Sequence, residues 1–198
     1  RSPSRGLGDV YKRQIIYGAG FAGLSQALGL ANFVDDILII EPCSREVFET
    51  ITNKDSRTTA LSFNSKNFYQ SLGIWQKLQH KVGAIEDIKI LDSNLKNGDS
   101  LLKLDFSSAD VGEEPMGYII ENKTLKTLLL EEVLKHENIS IKFGCKIESL
   151  TNESNQTALT LEGGDNILGD MLIAADGKFS KIRDLLNIKT TDKDYLQT

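Results

Sequence analysis

The sequence predicts an α/β fold in which a Rossmann-like dinucleotide-binding domain is interrupted by a β-sheet segment. Three observations predict it. Residues 15–41, IIYGAGFAGLSQALGLANFVDDILIIE, run from an apolar stretch through Gly18, Gly20 and Gly23 to a helical stretch, a second apolar stretch and an acid. From Ala84 to Ile120 the pattern changes to short strands with turn residues between them. A helical segment then returns at Asn122 and leads into further strands, as a domain resumed after an insertion would.

Each part of the first unit has a physical reason. After the strand Ile15 to Tyr17 the chain must turn tightly, and Gly18 permits backbone angles that a Cβ forbids. Gly20 leaves no side chain between backbone and a pyrophosphate, and Gly23 lets the helix from Phe21 to about Asn32 pack closely on the strands. The helix N-terminus faces an anion with N–H groups and a positive dipole end. Val34 to Ile40 is nearly continuous in apolar residues, as a parallel strand buried on both faces should be. Glu41 ends that run 23 positions after Gly18, where an acid accepts hydrogen bonds from a ribose 2′-hydroxyl and repels a 2′-phosphate. Glycines also cluster in ordinary loops, but here strand, helix, strand and acid all occupy the required places. Taken alone, this unit reads as a dinucleotide site, most naturally for NAD.

The chain beyond it alternates between helical and strand patterns. Pro42 to Thr59 is polar and is expected to be an irregular, functional loop. Ser65 is expected to cap a short helix carrying Phe68, Tyr69 and Leu72, with Gly73 near its end, and Trp75 and Leu78 to form another helical turn in the core. AIEDIKIL and LLKLDF alternate around SNLKNGDS, whose Asn97–Gly98 pair predicts a hairpin, and Pro115 to Ile120 adds a strand. Asn122 to His136 places Leu125, Leu128, Leu129, Val133 and Leu134 at helical spacing, with Glu131 and Lys135 four apart for pairing. ISIKFGCKIESL, TALTLEG and DMLIAAD read as strands, and SKIRDLL as a short helix.

Composition excludes several classes. Hydrophobic content of 40% and charged content of 26% are those of an ordinary globular chain. A net charge of −5 and the lack of any basic block argue against nucleic acid. Cys43 and Cys145 belong to no C-x-x-C pair and read as reduced thiols, with neither a metal site nor a disulfide framework indicated. His80 and His136 sit on polar helix ends and read as solvated. Residues 15 to 34 carry no charge, but four glycines with Ser25, Gln26 and Asn32 make the stretch too polar to span a membrane. RSPSRGLGDVYKRQ resembles translated library-adapter sequence, so residues 1–14 are expected to be a non-native or disordered tail.

Three pieces coincide: GAGFAG with Glu41, SRTTALSFNSKNFYQSLGIW, and ADGKFSKIR. Together they resemble the aromatic-ring hydroxylases, FAD monooxygenases built like para-hydroxybenzoate hydroxylase. With GYIIENKTL the wording is most similar to the ubiquinone-biosynthesis hydroxylases. The resemblance implies that Gly18, Gly20 and Gly23 hold the FAD pyrophosphate and Glu41 the adenosine ribose. It places Arg57 against the pyrophosphate and flavin side, where a guanidinium offers fixed, paired donors. Asp176 and Gly177 match an Asp-Gly motif that contacts FAD and assists NAD(P)H, and Arg183 would fix that loop. A simple strand-to-helix turn with Asp as cap remains the alternative for ADG. Relatives often carry Arg at the position of Asn122; the ubiquinone branch carries Asn.

The implied division is an FAD-binding domain at 15–75 and 121–186, a substrate-domain β segment at 76–120, and the start of a substrate-domain return at 187–198, with the C-terminal half missing. The implied activity is hydroxylation of a polyprenylated phenol with NAD(P)H and O₂ through a flavin C4a-hydroperoxide. The expected setting is cytoplasmic, peripheral to the inner membrane, with transient membrane contact and association with other ubiquinone-biosynthesis proteins. A sister aromatic hydroxylase or polyprenyl reductase, an inert FAD- or ADP-binding fragment, and an NAD-dependent dehydrogenase are the other readings. The last needs an uninterrupted doubly wound sheet, against which the strands from 84 to 120 stand.

Overall fold

The computed structural model describes residues 13–93, 100–110, 112, 114–153, 156–191 and 193. In chain order the elements open with β1 (Arg13–Tyr17), α1 (Phe21–Leu30), β2 (Asp36–Glu41), α2 (Arg45–Lys54), β3 (Thr58–Ser62), α3 (Phe63–Ser71) and α4 (Trp75–Leu78). There follow β4 (Val82–Ile85), β5 (Asp87–Ser93), β6 (Ser100–Ser107), β7 (Gly117–Glu121) and α5 (Asn122–Val133). The chain closes through β8 (Ile139–Phe143), β9 (Ile147–Glu153), β10 (Gln156–Leu161), β11 (Asn166–Gly169), β12 (Met171–Ala174) and α6 (Lys181–Leu185). It divides into two compact units, one of Arg1–Ile51 with Leu128–Thr198 and one of Thr52–Thr127.

The first unit is built on a parallel sheet of order β12-β1-β2-β8. Its central strands carry apolar, buried runs, Ile15–Tyr17 in β1 and Ile37–Ile40 in β2, because both faces are covered. On one face Ile15, Tyr17, Leu38 and Ile40 pack with Ile147, Leu159, Leu161 and Ile167 of the antiparallel sheet β11-β10-β9 and with Ile182 of α6. On the other, α1 lies against β1 and β2 and buries Leu24, Ala27 and Leu28. β1 begins at Arg13, two residues before the strand start read from the sequence, and Arg13 Nε donates to Asp36 Oδ2 across the β1–β2 pair at 2.6 Å. The rest of the expected tail, residues 1–12, lies outside the described residues.

The second unit holds the antiparallel sheet β3-β7-β4, the ribbon β5-β6, and helices α3 and α4. Trp75 is buried and meets the Tyr118 ring edge-on, with centroids 4.7 Å apart, as its core assignment requires. The Asn97–Gly98 turn between β5 and β6 lies outside the described residues.

Several sequence expectations are corrected. Pro42 to Thr59 is not irregular: it contains α2 and the start of β3. Ser44 Oγ accepts from Val47 N at the head of α2, and Phe48 is the apolar anchor, 4% exposed, with its ring against Phe143. The α3 cap is Ser62, whose Oγ accepts from Ser65 N at 3.2 Å; Ser65 is the capped residue. On α5 and its continuation, Lys135 pairs with Glu132, three residues before it, rather than with Glu131. ISIKFGCKIESL splits at Gly144, φ +71°, into β8 and β9 in different sheets, and β11 was not expected.

Candidate functional site

The ends of β1, β2 and β12 meet at the carboxyl edge of the parallel sheet, where open α/β sheets place their ligand crevice. Gly18 leaves β1 with φ +107°, and its N–H donates to Ile40 O at 2.8 Å. A Cβ there would stand 2.5 Å from Ala175 O and 3.1 Å from Asp176 Cα, so the glycine is needed both for its angle and for the approach of the β12 end. A Cβ on Gly23 would lie 1.9 Å from Gly18 O, which shows how closely α1 seats on the turn. Gly20 differs from both. It is the N-cap of α1 in extended backbone, and a Cβ on it would meet nothing within 4 Å. Among the described residues no side chain caps that helix, and no acid lies in its first turn, so its positive end faces the open space beside Gly20.

Glu41 closes the loop. Buried at the end of β2, its carboxylate accepts from Ala19 N at 2.8 Å through Oε2 and from Cys43 N at 3.0 Å through Oε1. It therefore ties the glycine turn to β2, and an ionised carboxylate keeps further lone pairs for hydroxyl donors. Asp176 follows β12, where Ala175 N donates to Tyr17 O. Its carboxylate accepts from Ser180 Oγ at 2.7 Å and Ile182 N at 3.2 Å, which shapes the loop into α6. Gly177 has φ +80° with nothing near its Cβ position, and Arg183 Nη2 donates to Lys178 O within the same loop.

Six residues singled out from the sequence are thus gathered at one sheet edge: Gly18, Gly20, Gly23, Glu41, Asp176 and Gly177. Arg57 belongs to the second unit. It is exposed and paired with Asp55, which sequence reading passed over; the signal available was an acid two positions before the arginine in Asp55-Ser56-Arg57. Tyr17 was also passed over. Its hydroxyl accepts from Ile147 N at 3.4 Å, and burial pushes its pKa up from the ordinary tyrosine value. It lines a cleft of about 320 Å³ with Pro42, Lys146, Ile147, Asp176 and Phe179. Among the described residues, no group of His, Cys, Asp or Glu is gathered for a metal ion, and no helix is long and apolar enough to cross a membrane.

The sheet edge offers what an anionic dinucleotide needs: an uncapped helix N-terminus, an open approach at Gly20, and an acid with accepting capacity beside it. Comparison with known proteins accords with it. The family described as FAD binding domain matches residues 13–197. Ubiquinone hydroxylase UbiM of Neisseria meningitidis is 31% identical over 189 residues, covering 93% of this chain and 40% of that protein. The 3-demethoxyubiquinol 3-hydroxylase of Escherichia coli is 25% identical over 187 residues, covering 92% and 46% respectively. The crystal structure of PqsL, a probable FAD-dependent monooxygenase from Pseudomonas aeruginosa, superposes with a TM-score of 0.71 at 20% identity, covering 93% of this chain and 48% of that one. The chain spans less than half the length of these relatives.

Proposed function

The chain belongs to the FAD binding domain family, and on that premise we propose that the whole protein is an FAD-dependent monooxygenase of the ubiquinone-biosynthesis hydroxylase type. Its substrates are a polyprenylated phenol, O₂ and NAD(P)H. The observation that carries this reading is the sheet edge itself, where Gly20 leaves open space before an uncapped helix N-terminus while Glu41 ties the loop to β2.

In this reading Gly18, Gly20 and Gly23 shape the pyrophosphate cradle and Glu41 accepts from the adenosine ribose. Arg57 offers paired donors to the pyrophosphate and flavin side, and Asp176 with Gly177 contacts FAD from the end of β12. FAD, when bound, supplies the redox and oxygen chemistry; the residues of this chain bind it, orient it and limit the access of water. The functional division follows the resemblance, with the FAD domain at 15–75 and 121–186, the substrate segment at 76–120 and the start of the return at 187–198. Because a polyprenylated phenol resides in lipid, the whole protein touches the membrane transiently and works beside other ubiquinone-biosynthesis proteins.

The test is a substrate panel on the whole enzyme. NAD(P)H-dependent hydroxylation of a polyprenylated phenol supports the proposal. Reduction of a polyprenyl chain, or turnover of water-soluble phenols alone, would move the protein to a sister activity of the same fold. A flotation assay in which the protein stays on vesicles after a high-salt wash would contradict transient contact.

A further inference from the structure

Tyr17 ends β1, and among the described residues its hydroxyl donates to no acceptor. The other buried residues of that strand, Ile15 and Ile16, are aliphatic, so the apolar run itself asks for no hydroxyl. The ring packs in the core with Leu38, Ile40 and Ile147, and the residue is 3% exposed. Its oxygen accepts from Ile147 N, at the head of β9, over 3.4 Å. An N–H to O bond usually measures roughly 2.9–3.0 Å, so the Ile147 amide is held weakly. A buried phenol normally gives its hydrogen to a partner. Here that hydrogen is left for a ligand.

Tyr17 and Ile147 both line the cleft of about 320 Å³, every residue of which belongs to the first unit. Pro42, the residue after Glu41, forms part of its wall, and Glu162 brings a carboxylate to it. Phe179 lines it too, with 87% of its surface exposed. The cleft therefore offers a hydroxyl donor, a weakly held amide donor, a carboxylate acceptor and an aromatic ring still largely uncovered. A flat base carrying ring nitrogens and an amino group complements each of these. We infer that Tyr17 is a specificity-determining residue, its hydroxyl donating to a ring nitrogen of the adenine that the ribose at Glu41 carries into this cleft. This rests on the role proposed above for Glu41.

The surroundings keep the phenol protonated. Burial first, and then the negative charges of Asp176, Glu41 and Glu162, push the Tyr17 pKa up, against the opposing pull of the Ile147 hydrogen bond. The group is thus a donor at neutral pH. Phenylalanine keeps the ring in the core and removes only the hydroxyl, but it also strips Ile147 N of its weak partner. A loss on Tyr17→Phe alone would not separate the two effects, so the ligand has to be varied as well.

The experiment titrates ADP, FAD and deaza analogues of ADP, each lacking one ring nitrogen of the base, into the full native chain and into Y17F. Base reading predicts that Y17F weakens ADP and FAD by the same factor, about fivefold for one neutral hydrogen bond. Against the analogue that lacks the contacted nitrogen, Y17F should make no difference, because the bond is already gone. A second readout needs no variant: the Ile147 amide resonance of the native chain should move on adding ADP and stay in place on adding FMN, which has no adenine. ADP bound equally well by Y17F, the same loss from Y17F with every analogue, or an Ile147 amide unmoved by saturating ADP would overturn the inference. A native chain that binds neither ADP nor FAD would overturn the reading of the sheet edge, and the inference with it.

Discussion

Gly23→Ala and Gly20→Ala form a pair of substitutions with opposite expected outcomes, although both place one methyl group in the same glycine motif. At Gly23 the new Cβ would stand 1.9 Å from Gly18 O, and ordinary contact begins near 3.4 Å, so α1 must move by about 1.5 Å or the turn must deform. The obstacle is the backbone carbonyl of Gly18, the residue held at φ +107°, not the yielding tip of a side chain. Overpacking of this kind costs roughly 3 kcal/mol at the upper end of its range. Alanine in a helix interior returns about 1 kcal/mol, so the net loss is about 2 kcal/mol. With a urea slope of about 2 kcal/mol/M, the unfolding midpoint of the FAD-free chain falls by about 1 M. At Gly20 a Cβ meets nothing within 4 Å. There the poorer N-cap preference of alanine and the stiffer unfolded chain offset each other to within about 0.5 kcal/mol. Urea unfolding followed by far-UV circular dichroism measures both. A midpoint for Gly23→Ala equal to that of the native chain would refute the close seating of α1 on the turn.

Glu41→Gln leaves one acceptor oxygen and places an NH₂ where an oxygen now accepts, so Ala19 N or Cys43 N loses its partner; a loss of about 1–2 kcal/mol is expected. An unchanged melting temperature would mean that this carboxylate does not hold the loop. Ser62→Ala removes the α3 cap and should cost about 1 kcal/mol, whereas Ser65→Ala, which keeps the capped N–H, should stay within about 0.5 kcal/mol. Chemical denaturation that ranks the two the other way would restore Ser65 as the cap. Because the folded Asp55 pKa is depressed, its pairing with Arg57 contributes stability above the ordinary aspartate value of about 3.9 and loses it as pH falls toward the lower folded value. A carboxyl ¹³C titration should find Asp55 ionised below the range of the exposed aspartates. Titration at the ordinary value would show that the pair does not form.

The first βαβ unit was legible because its signals are local: a both-faces-buried strand, a glycine triplet of fixed spacing and an acid at the next strand end. The element boundaries moved little, with α1 ending at Leu30 and β2 running to Glu41 itself. α2 was illegible because its one buried apolar residue is Phe48, its other buried residue, Thr52, is polar, and its remaining apolar residues, Val47 and Ile51, are exposed, so its anchoring face is too narrow to give a clear period. The Ser62 cap was hidden by a second serine three residues on, inside a strand that runs directly into its helix. Gly144 stood inside an apparently continuous strand run, and only its left-handed angle separates β8 from β9. Of the site, the residues were visible but not their union. That Asp176 Cα passes within 3.1 Å of a Cβ on Gly18 depends on β12 pairing with β1 across more than 150 residues. Asp55 escaped notice because an acid near an arginine is ordinary on a surface, and its support from Asn122 and Thr59 comes from the start of α5 and from β3, which meet only in the fold.

The central claim is that the edge built by Gly18, Gly20, Gly23 and Glu41 receives FAD, and a titration of FAD into the native chain and into Gly20→Leu tests it most directly. A Cβ at Gly20 meets nothing within 4 Å, so the leucine side chain leaves the backbone without a clash and fills the approach to the pyrophosphate. Saturable one-to-one binding to the native chain is expected, with its loss in the variant at an unchanged melting temperature. Equal FAD affinity in the two proteins would contradict it.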